Sequence, residues 1–455
     1  MAMIQTTIIE QAVYNLVKSA NIKMQKQDYD LVCKEIDEDF IDYFKKNAFL
    51  ANDNQRPLCQ DTGQVVVFLK VPQNITFEGK FINQAINDAV EKCYKENFFR
   101  KSVVNDSIFD RSNTKTNTPV IIYSEYIDGE NVEINVLIKG GGAENKTKLL
   151  MLSPTSNELD IISKVAEVVA DAGTSACPPT FLGIGIGGTA DNALLLSKKA
   201  FFDGNKNEKQ SFLAAKMKDY INAYVTTSGF KNTVVNVKIL TTSTHIASMP
   251  VAISFNCHSM RHARCFIQQN GEILFEDNNY LPKDCAIEKN ENKLHFNSSD
   301  IEKIKNLKTG EKFFLSGKIY TARDAAHQRF VEMIAKNESL PIDLKDKIIF
   351  YAGPCPKNQN EIIGPIGPTT AGRMDKFSEI IAKEGILATI GKGQRNEETV
   401  KIFRDNGIKY FTVYGGIANY LSNCVKQANV VAFGDLGAEA VFELEVENFP
   451  LVCEL

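Results

Sequence analysis

Apolar positions recur every three or four residues in TIIEQAVYNLVKSANI and DEDFIDYFKKNAFLAN, so the first 55 residues are predicted to be helical. QVVVFLKVP (64–72) is apolar without interruption and reads as a strand, followed by a helix over FINQAINDAVEKCYKENFF. Residues 118–142 hold two β-rich runs around Asp128-Gly129, a hairpin signal. NELDIISKVAEVVADAGT has the pattern of an amphipathic helix, with Gly173 as its terminator. NTVVNVKILTTSTHIASMPVAISF gives two strands split by a polar loop. Between about 278 and 300 the chain turns polar and rich in Asn and Lys, which marks a boundary. Beyond it KIIFYAGP, TTAGRMDKFSEIIAKEG, ILATIGKG, NEETVKIFRDNG, KYFTVYGG, IANYLSNCVKQAN and VVAFGDLG alternate strand and helix. The expectation is a mixed α/β chain. An N-terminal α+β domain covers 1–280, a linker 281–298 and a C-terminal α/β domain 299–455.

Composition narrows the function. The 455 residues are 44% hydrophobic and 24% charged, as in a soluble globular protein with ample core. A net charge of -4 argues against a nucleic-acid surface, so an anionic ligand needs locally placed cations. The N-terminus lacks a basic region and a long apolar core, so no signal peptide is expected, and no apolar run is long enough to span a bilayer. Ten scattered cysteines do not form a secreted disulfide framework. Reduced thiols in the cytoplasm are expected, some of them available to a metal.

Three cysteines have unusual neighbours. Cys59 precedes Gln-Asp-Thr-Gly, Cys177 lies in SACPPTFLGIGIGG, and Cys257 lies in FNCHSMRHARC. Each taken singly is an ordinary buried thiol, and only folding could unite them. KGGGAENKT (139–147) offers consecutive glycines, more than a hairpin needs, and reads as a ligand contact. Gly183, Gly185 and Gly188 match G-x-G-x-x-G with Asp203 about twenty residues on, but two prolines precede them where the motif wants a central strand. A nicotinamide-dependent oxidoreductase is the out-of-class alternative. His258 and His262 stand four apart beside Cys257 and Cys265, yet Ser259 stands where a zinc protease has glutamate, and they read as core or solvated histidines. Cations come from TARDAAHQR, GPTTAGRMD and IGKG; the last two end loops beside strand–helix junctions, where Arg373 reads as an anion site and Arg329 as solvated surface.

In order from about residue 50 onward, PLCQDTG, KGGGAEN, ACPPTFLGIGIGGT, CHSMR, TARDAAHQR, GPTTAGRMD, IGKG and VYGG resemble the class I, iron–sulfur fumarate hydratases and the related L-tartrate dehydratases. The resemblance implies a cluster-binding N-terminal domain and a swivelling-type α/β C-terminal domain, with substrate in the cleft between them. It implies a [4Fe-4S] cluster held by Cys59, Cys177 and Cys257, with one iron not ligated by protein; Cys257 fits the family's Cys-x-x-x-Arg pattern better than Cys265. Gln60, Asp61, Arg100, Gly142, Arg323, Arg373 and Lys392 would bind a dicarboxylate, with Arg111 a rival for Arg100. Thr369 would be the catalytic base and Asp61 the acid. His327 either orients Arg323 or packs. The implied reaction is reversible hydration of fumarate to (S)-malate, with L-tartrate dehydration or mesaconate hydration as alternatives, in an oxygen-sensitive homodimer. A non-enzymatic iron sensor would keep the cluster without needing Arg373 and Lys392.

Overall fold

A computed structural model describes residues 2–225, 232–276, 280, 282–284 and 294–455. The chain forms two compact units: Met1–Ile41 with Ala51–Asp284, and Asp42–Leu50 with Cys285–Leu455. The short stretch 42–50 therefore groups with the second unit, not with the rest of the expected 1–280 domain. Its reason is local: Asn47 donates to Gly416 O at 3.1 Å and accepts from Asn419 N at 2.8 Å, and Tyr43 packs its ring on Tyr420 at 5.0 Å. Much of the expected linker lies outside the described residues, and at its far end residues 294–297 form a strand.

The first unit contains β1 (Ala2–Gln5), α1 (Thr6–Ile22), α2 (Lys26–Glu35), the two ends of α3 (Glu38–Asp53), whose middle belongs to the second unit, β2 (Gln64–Pro72), β3 (Ile75–Glu78), α4 (Ile82–Glu96), β4 (Ile121–Ile127) and β5 (Val132–Lys139). It continues with α5 (Gly141–Glu144), β6 (Lys148–Leu152), α6 (Glu158–Ala172), β7 (Thr180–Ile186), α7 (Ala190–Asp203), α8 (Glu208–Tyr224), β8 (Val234–Thr241), β9 (Met249–Asn256), β10 (His262–Ile267) and β11 (Ile273–Phe275). The start of the chain, expected helical, opens instead on β1, which pairs in parallel with β3.

Strand β2 matches the predicted run 64–72 and is buried along nearly its whole length. A strand apolar on both faces wants a neighbour on each edge, and it lies between β5 and β4 in the order β11-β10-β5-β2-β4. This overturns the hairpin expected around Asp128-Gly129. β4 pairs in parallel with β2, β5 pairs antiparallel with it, and the two runs never meet. Ile9, Ala12, Val13, Leu16 and Val17 of α1, at helical spacing, pack with α4 residues on this sheet. A second sheet has the order β6-β9-β7-β8 and is covered by α6 and α8. The Asn157 side chain caps α6 in a capping box, and Gly173 ends it at φ 49°.

The second unit has β12 (Leu294–Asn297), α9 (Ile301–Lys305), β13 (Lys312–Thr321), α10 (Asp324–Ala335), β14 (Ile348–Phe350), α11 (Ser378–Lys383), β15 (Ala388–Gly391), α12 (Glu397–Asp405), β16 (Lys409–Thr412), α13 (Ala418–Asn423), β17 (Val425–Ala432) and β18 (Val441–Cys453). β13, β14, β15 and β16 run parallel in that order. β18 pairs antiparallel with β16 at one end and with β13 along much of its length, so the sheet closes on itself. The mixed α/β expectation holds for both units.

Candidate active site

In the first unit, strand register brings separated motifs together. β2 and β5 pair Gln64 with Lys139, so the Cys59–Gly63 turn before β2 lies beside the glycines that follow β5. β7 and β9 pair Phe181 with Asn256, so the loop before β7, carrying Cys177, lies beside the residue after β9, Cys257. His258 Nδ1 sits 3.2 Å from both Cys177 O and Pro178 O; both are acceptors, so that nitrogen carries the proton and ties the two cysteine loops. Cys177 adopts φ 59°, a left-handed conformation rare outside glycine.

The three thiols share one electrostatic neighbourhood. Burial pushes the Cys59 thiol up to about 12; Arg261 pulls it down, and Cys257, Asp61 and Cys177 push it up further. Among the described residues the thiols do not close, with any His, Asp or Glu, on a point the size of a single ion. Cys265 lies apart, in the apolar core beneath α1.

Asp61 is the polar centre of this site. Its Oδ2 accepts from Gly141 N at 2.8 Å and its Oδ1 from Gly63 N at 3.1 Å, with Arg100 at 3.6 Å. Arg261 donates to its backbone carbonyl. Burial pushes the Asp61 carboxyl up, but Arg100, Arg261 and the two amides outweigh it and hold it below the ordinary carboxylate value. Gln60 is buried, with its Oε1 3.4 Å from Cys59 Sγ. Gly142 lies in the α5 turn next to Gly141. Arg111 is exposed and donates to Ser107 O of its own loop at 2.8 Å, whereas Arg100 stands at Asp61.

In the second unit the predicted residues gather at the carboxyl ends of the parallel strands. Thr369 N donates to Tyr351 O at 2.6 Å, Lys392 N donates to Thr369 O at 3.2 Å, and Ala371 N donates to Lys392 O at 2.8 Å. Arg373 grips Asp324 with Nε at 3.1 Å and an Nη at 2.7 Å. Arg323 pairs with Glu439 at 3.1 Å and approaches Asp324 at 4.0 Å. Asp324 thus serves two guanidinium groups. His327 is packed: its ring stacks on Phe377 at 5.6 Å, and Nδ1 donates to Arg323 O at 2.9 Å.

The chain matches the family model described as fumarate hydratase over residues 3–265 and the one described as fumarase C-terminus over 269–454. The chain belongs to the fumarate hydratase family. It is an enzyme of the hydro-lyase class. It is similar to fumarate hydratase 1, mitochondrial, of Leishmania major, 30% identical over 434 residues, covering 89% of this chain and 79% of that one. It is similar to the anaerobic class I fumarate hydratase of Escherichia coli (strain K12), 28% identical over 441 residues, covering 90% and 79%. A Methanocaldococcus jannaschii protein provisionally named L(+)-tartrate dehydratase subunit beta is 47% identical over 163 residues, 34% of this chain and 84% of that one.

The features behind the nicotinamide alternative have other work in this fumarate hydratase fold. Gly183 and Gly185 lie inside β7, not in the turn after it. A Cβ on Gly183 would lie 2.0 Å from Ser197 O, and one on Gly185 2.1 Å from Ala193 O, so these glycines let α7 press on the sheet. β7 is central even though two prolines come just before it, because it begins after them. Asp203 is paired with Lys70 at 2.8 Å and Arg264 at 2.9 Å. His258 and His262 do not share a helix: His262 lies on β10, 2.7 Å from Asp28.

Among the described residues, the burial of several cations is invisible to the reading of residues one at a time. Arg261, 1% exposed, is pulled down by burial, and Cys59, Cys257 and Asp61 more than offset that. Burial pushes Lys139 down to about 8 against the pull of Glu144; its Nζ donates to Ser254 Oγ at 3.2 Å and to Phe255 O. Arg395 is enclosed in the second unit. Arg261 is the arginine of the Cys-x-x-x-Arg pattern at Cys257, and Arg395 lies just beyond IGKG; their burial is what the sequence does not show.

Proposed function

We propose that this enzyme catalyses the reversible hydration of fumarate to (S)-malate. The observation that carries the reading is that the loops of Cys59, Cys177 and Cys257 meet beside Asp61 and Arg261. Three soft thiols beside a buried guanidinium suit an anion with thiolate ligands such as an iron–sulfur cluster. Cys59, Cys177 and Cys257 would hold a [4Fe-4S] cluster, whose iron without a protein ligand supplies Lewis acidity toward carboxylate and hydroxyl oxygens.

The remaining chemistry belongs to the chain's own side chains. In the second unit Arg323, Arg373 and Lys392 would bind carboxylate, the arginines in forked fashion; in the first, Arg100, Gln60 and the Gly142 turn would do so. Asp61, held ionised, accepts the proton of the adding water; in dehydration the same group returns it. Thr369 exchanges the proton on the other carbon, its hydroxyl acidified by Arg373 and Lys392. Carboxylates displace Arg373 and Arg323 from Asp324 as they bind. The enzyme works as a homodimer in the reducing cytoplasm.

L-tartrate dehydration is the second reading, favoured by the 47% identity to the subunit beta relative. Anaerobic loading with iron and sulfide, then initial rates on fumarate, L-tartrate and mesaconate, decide between them. Brown protein fastest on fumarate, losing activity in air, is expected. Protein that stays colourless removes the cluster reading, and a tartrate rate above the fumarate rate reverses the order.

A further inference from the structure

Arg395 is a charge in the middle of a core. Its side chain is 1% exposed, and its guanidinium lies over three rings: Phe403 at 4.8 Å, Tyr351 at 5.3 Å and Tyr410 at 5.4 Å. Nε pairs with Asp375 Oδ1 at 2.7 Å as an ion pair outside hydrogen-bond alignment, and an Nη donates to Ser378 Oγ at 2.8 Å. Burying such a charge is costly, and a well-packed apolar side chain of similar volume often serves stability as well or better. A role in geometry accounts for a charge at this place better than stability does.

Three of the groups around Arg395 lead to residues of the proposed dicarboxylate site. Tyr351, one wall of the box, accepts the Thr369 amide on its carbonyl at 2.6 Å. Asp375 is two residues from Arg373, and its other oxygen accepts Asn396 N at 3.0 Å. Tyr410, a second wall, donates through its hydroxyl to Gly393 O at 2.6 Å, next to Lys392. Lys392 and Thr369 are in turn joined backbone to backbone. We infer that Arg395 is a positioning residue that sets the mutual spacing of Thr369, Arg373 and Lys392. The inference rests on reading those three as substrate contacts. The guanidinium is what the place requires, since it offers flat faces to the rings while one nitrogen pairs with Asp375 and another donates to Ser378, and a lysine ammonium offers neither the faces nor two separate nitrogens.

The test compares the iron-loaded wild type with Arg395→Met and Arg395→Lys, with Leu344→Ala as a core truncation of the same unit for stability control. Three quantities are read: KM and kcat for fumarate, visible absorbance with iron content, and amide hydrogen exchange by mass spectrometry. Arg395→Met is expected to raise KM at least tenfold with absorbance and iron unchanged. Amides of 369–376 and 391–396 should exchange at least tenfold faster, while those of β13 keep their protection. Arg395→Lys should restore little of either. The role is overturned if Arg395→Met keeps wild-type KM and exchange, or if Leu344→Ala at equal loss of stability raises KM as much. A wild type that turns over no dicarboxylate overturns the proposed function instead; the exchange pattern alone then upholds or overturns the hold of Arg395 on the two loops.

Discussion

The Gly141 amide donates to Asp61 Oδ2 over 2.8 Å, across eighty residues of sequence. The carboxylate belongs to the turn before β2 and the amide to the turn after β5, and antiparallel pairing of the two strands makes them neighbours. Arg100 stands on the other side of the same carboxylate at 3.6 Å. The group proposed to handle the proton of water is thus held ionised by its surroundings before any substrate arrives.

Asp61→Asn keeps the shape and an acceptor for Gly141 but removes the charge and the proton. Loss of a general acid or base of this kind lowers kcat by about 10²–10⁴-fold. Initial rates of fumarate hydration on protein with matched iron content check this. A rate near wild type would remove Asp61 from the proton transfer.

Arg373 holds Asp324 in a forked contact with half of its side chain exposed, so it is placed to exchange that carboxylate for one on a substrate. Arg373→Met should raise KM for fumarate by roughly 10- to 100-fold, the equivalent of about 1.5–3 kcal/mol for a charged hydrogen bond. Arg329→Met, whose partner is the exposed Asp435, should leave KM unchanged. Steady-state kinetics of the two variants side by side give the comparison.

His327 predicts a pH dependence of stability. Burial pushes its imidazole down from 6.5 to about 4, against the pull of the Arg323 carbonyl, Asp324 and Glu439 and with the aid of Arg395. Between those values the unfolded chain takes up a proton that the folded one refuses. Stability is therefore full above about 6.5 and falls as pH drops toward 4, by up to about 3 kcal/mol. Urea midpoints across that range should show the decline, and His327→Phe should flatten it. An equal slope in the variant would assign the decline to other groups.

Gly183→Ala tests the packing role of the glycines in β7. The added Cβ would fall 2.0 Å from Ser197 O, a backbone atom of α7, so helix and strand must separate. Overpacking of this kind costs about 1–3 kcal/mol. Thermal or urea unfolding should show the loss, and titration with a nicotinamide cofactor should show binding to neither protein. Cofactor binding by the wild type that the substitution abolishes would restore the dinucleotide reading.

How far the sequence carried is clearest at particular places. Local periodicity located β2 at 64–72 and α6 with its glycine terminator, because burial on one or two faces and a cap leave their pattern in consecutive residues. Motif order supplied the family, the three cysteines and the cations. Pairing was beyond it. The runs around Asp128-Gly129 have the look of a hairpin, yet β2 lies between them, since a strand apolar on both faces takes both neighbours and nothing local to Gly129 records that.

The sequence by itself determined many of the helices and strands, though not the strand at Ala2–Gln5 or the start of the one at Val425–Ala432, and which residue types are available for chemistry, for these follow from propensity, pattern and motif. Only the tertiary structure decided what meets what. Register set Cys177 beside Cys257 and Asp61 beside Gly141, and burial turned Arg261, Lys139 and Arg395 from ordinary basic residues into enclosed charges. The cause is one of range: secondary structure is written in neighbours a few positions apart, whereas burial and electrostatic environment are properties of the packed whole.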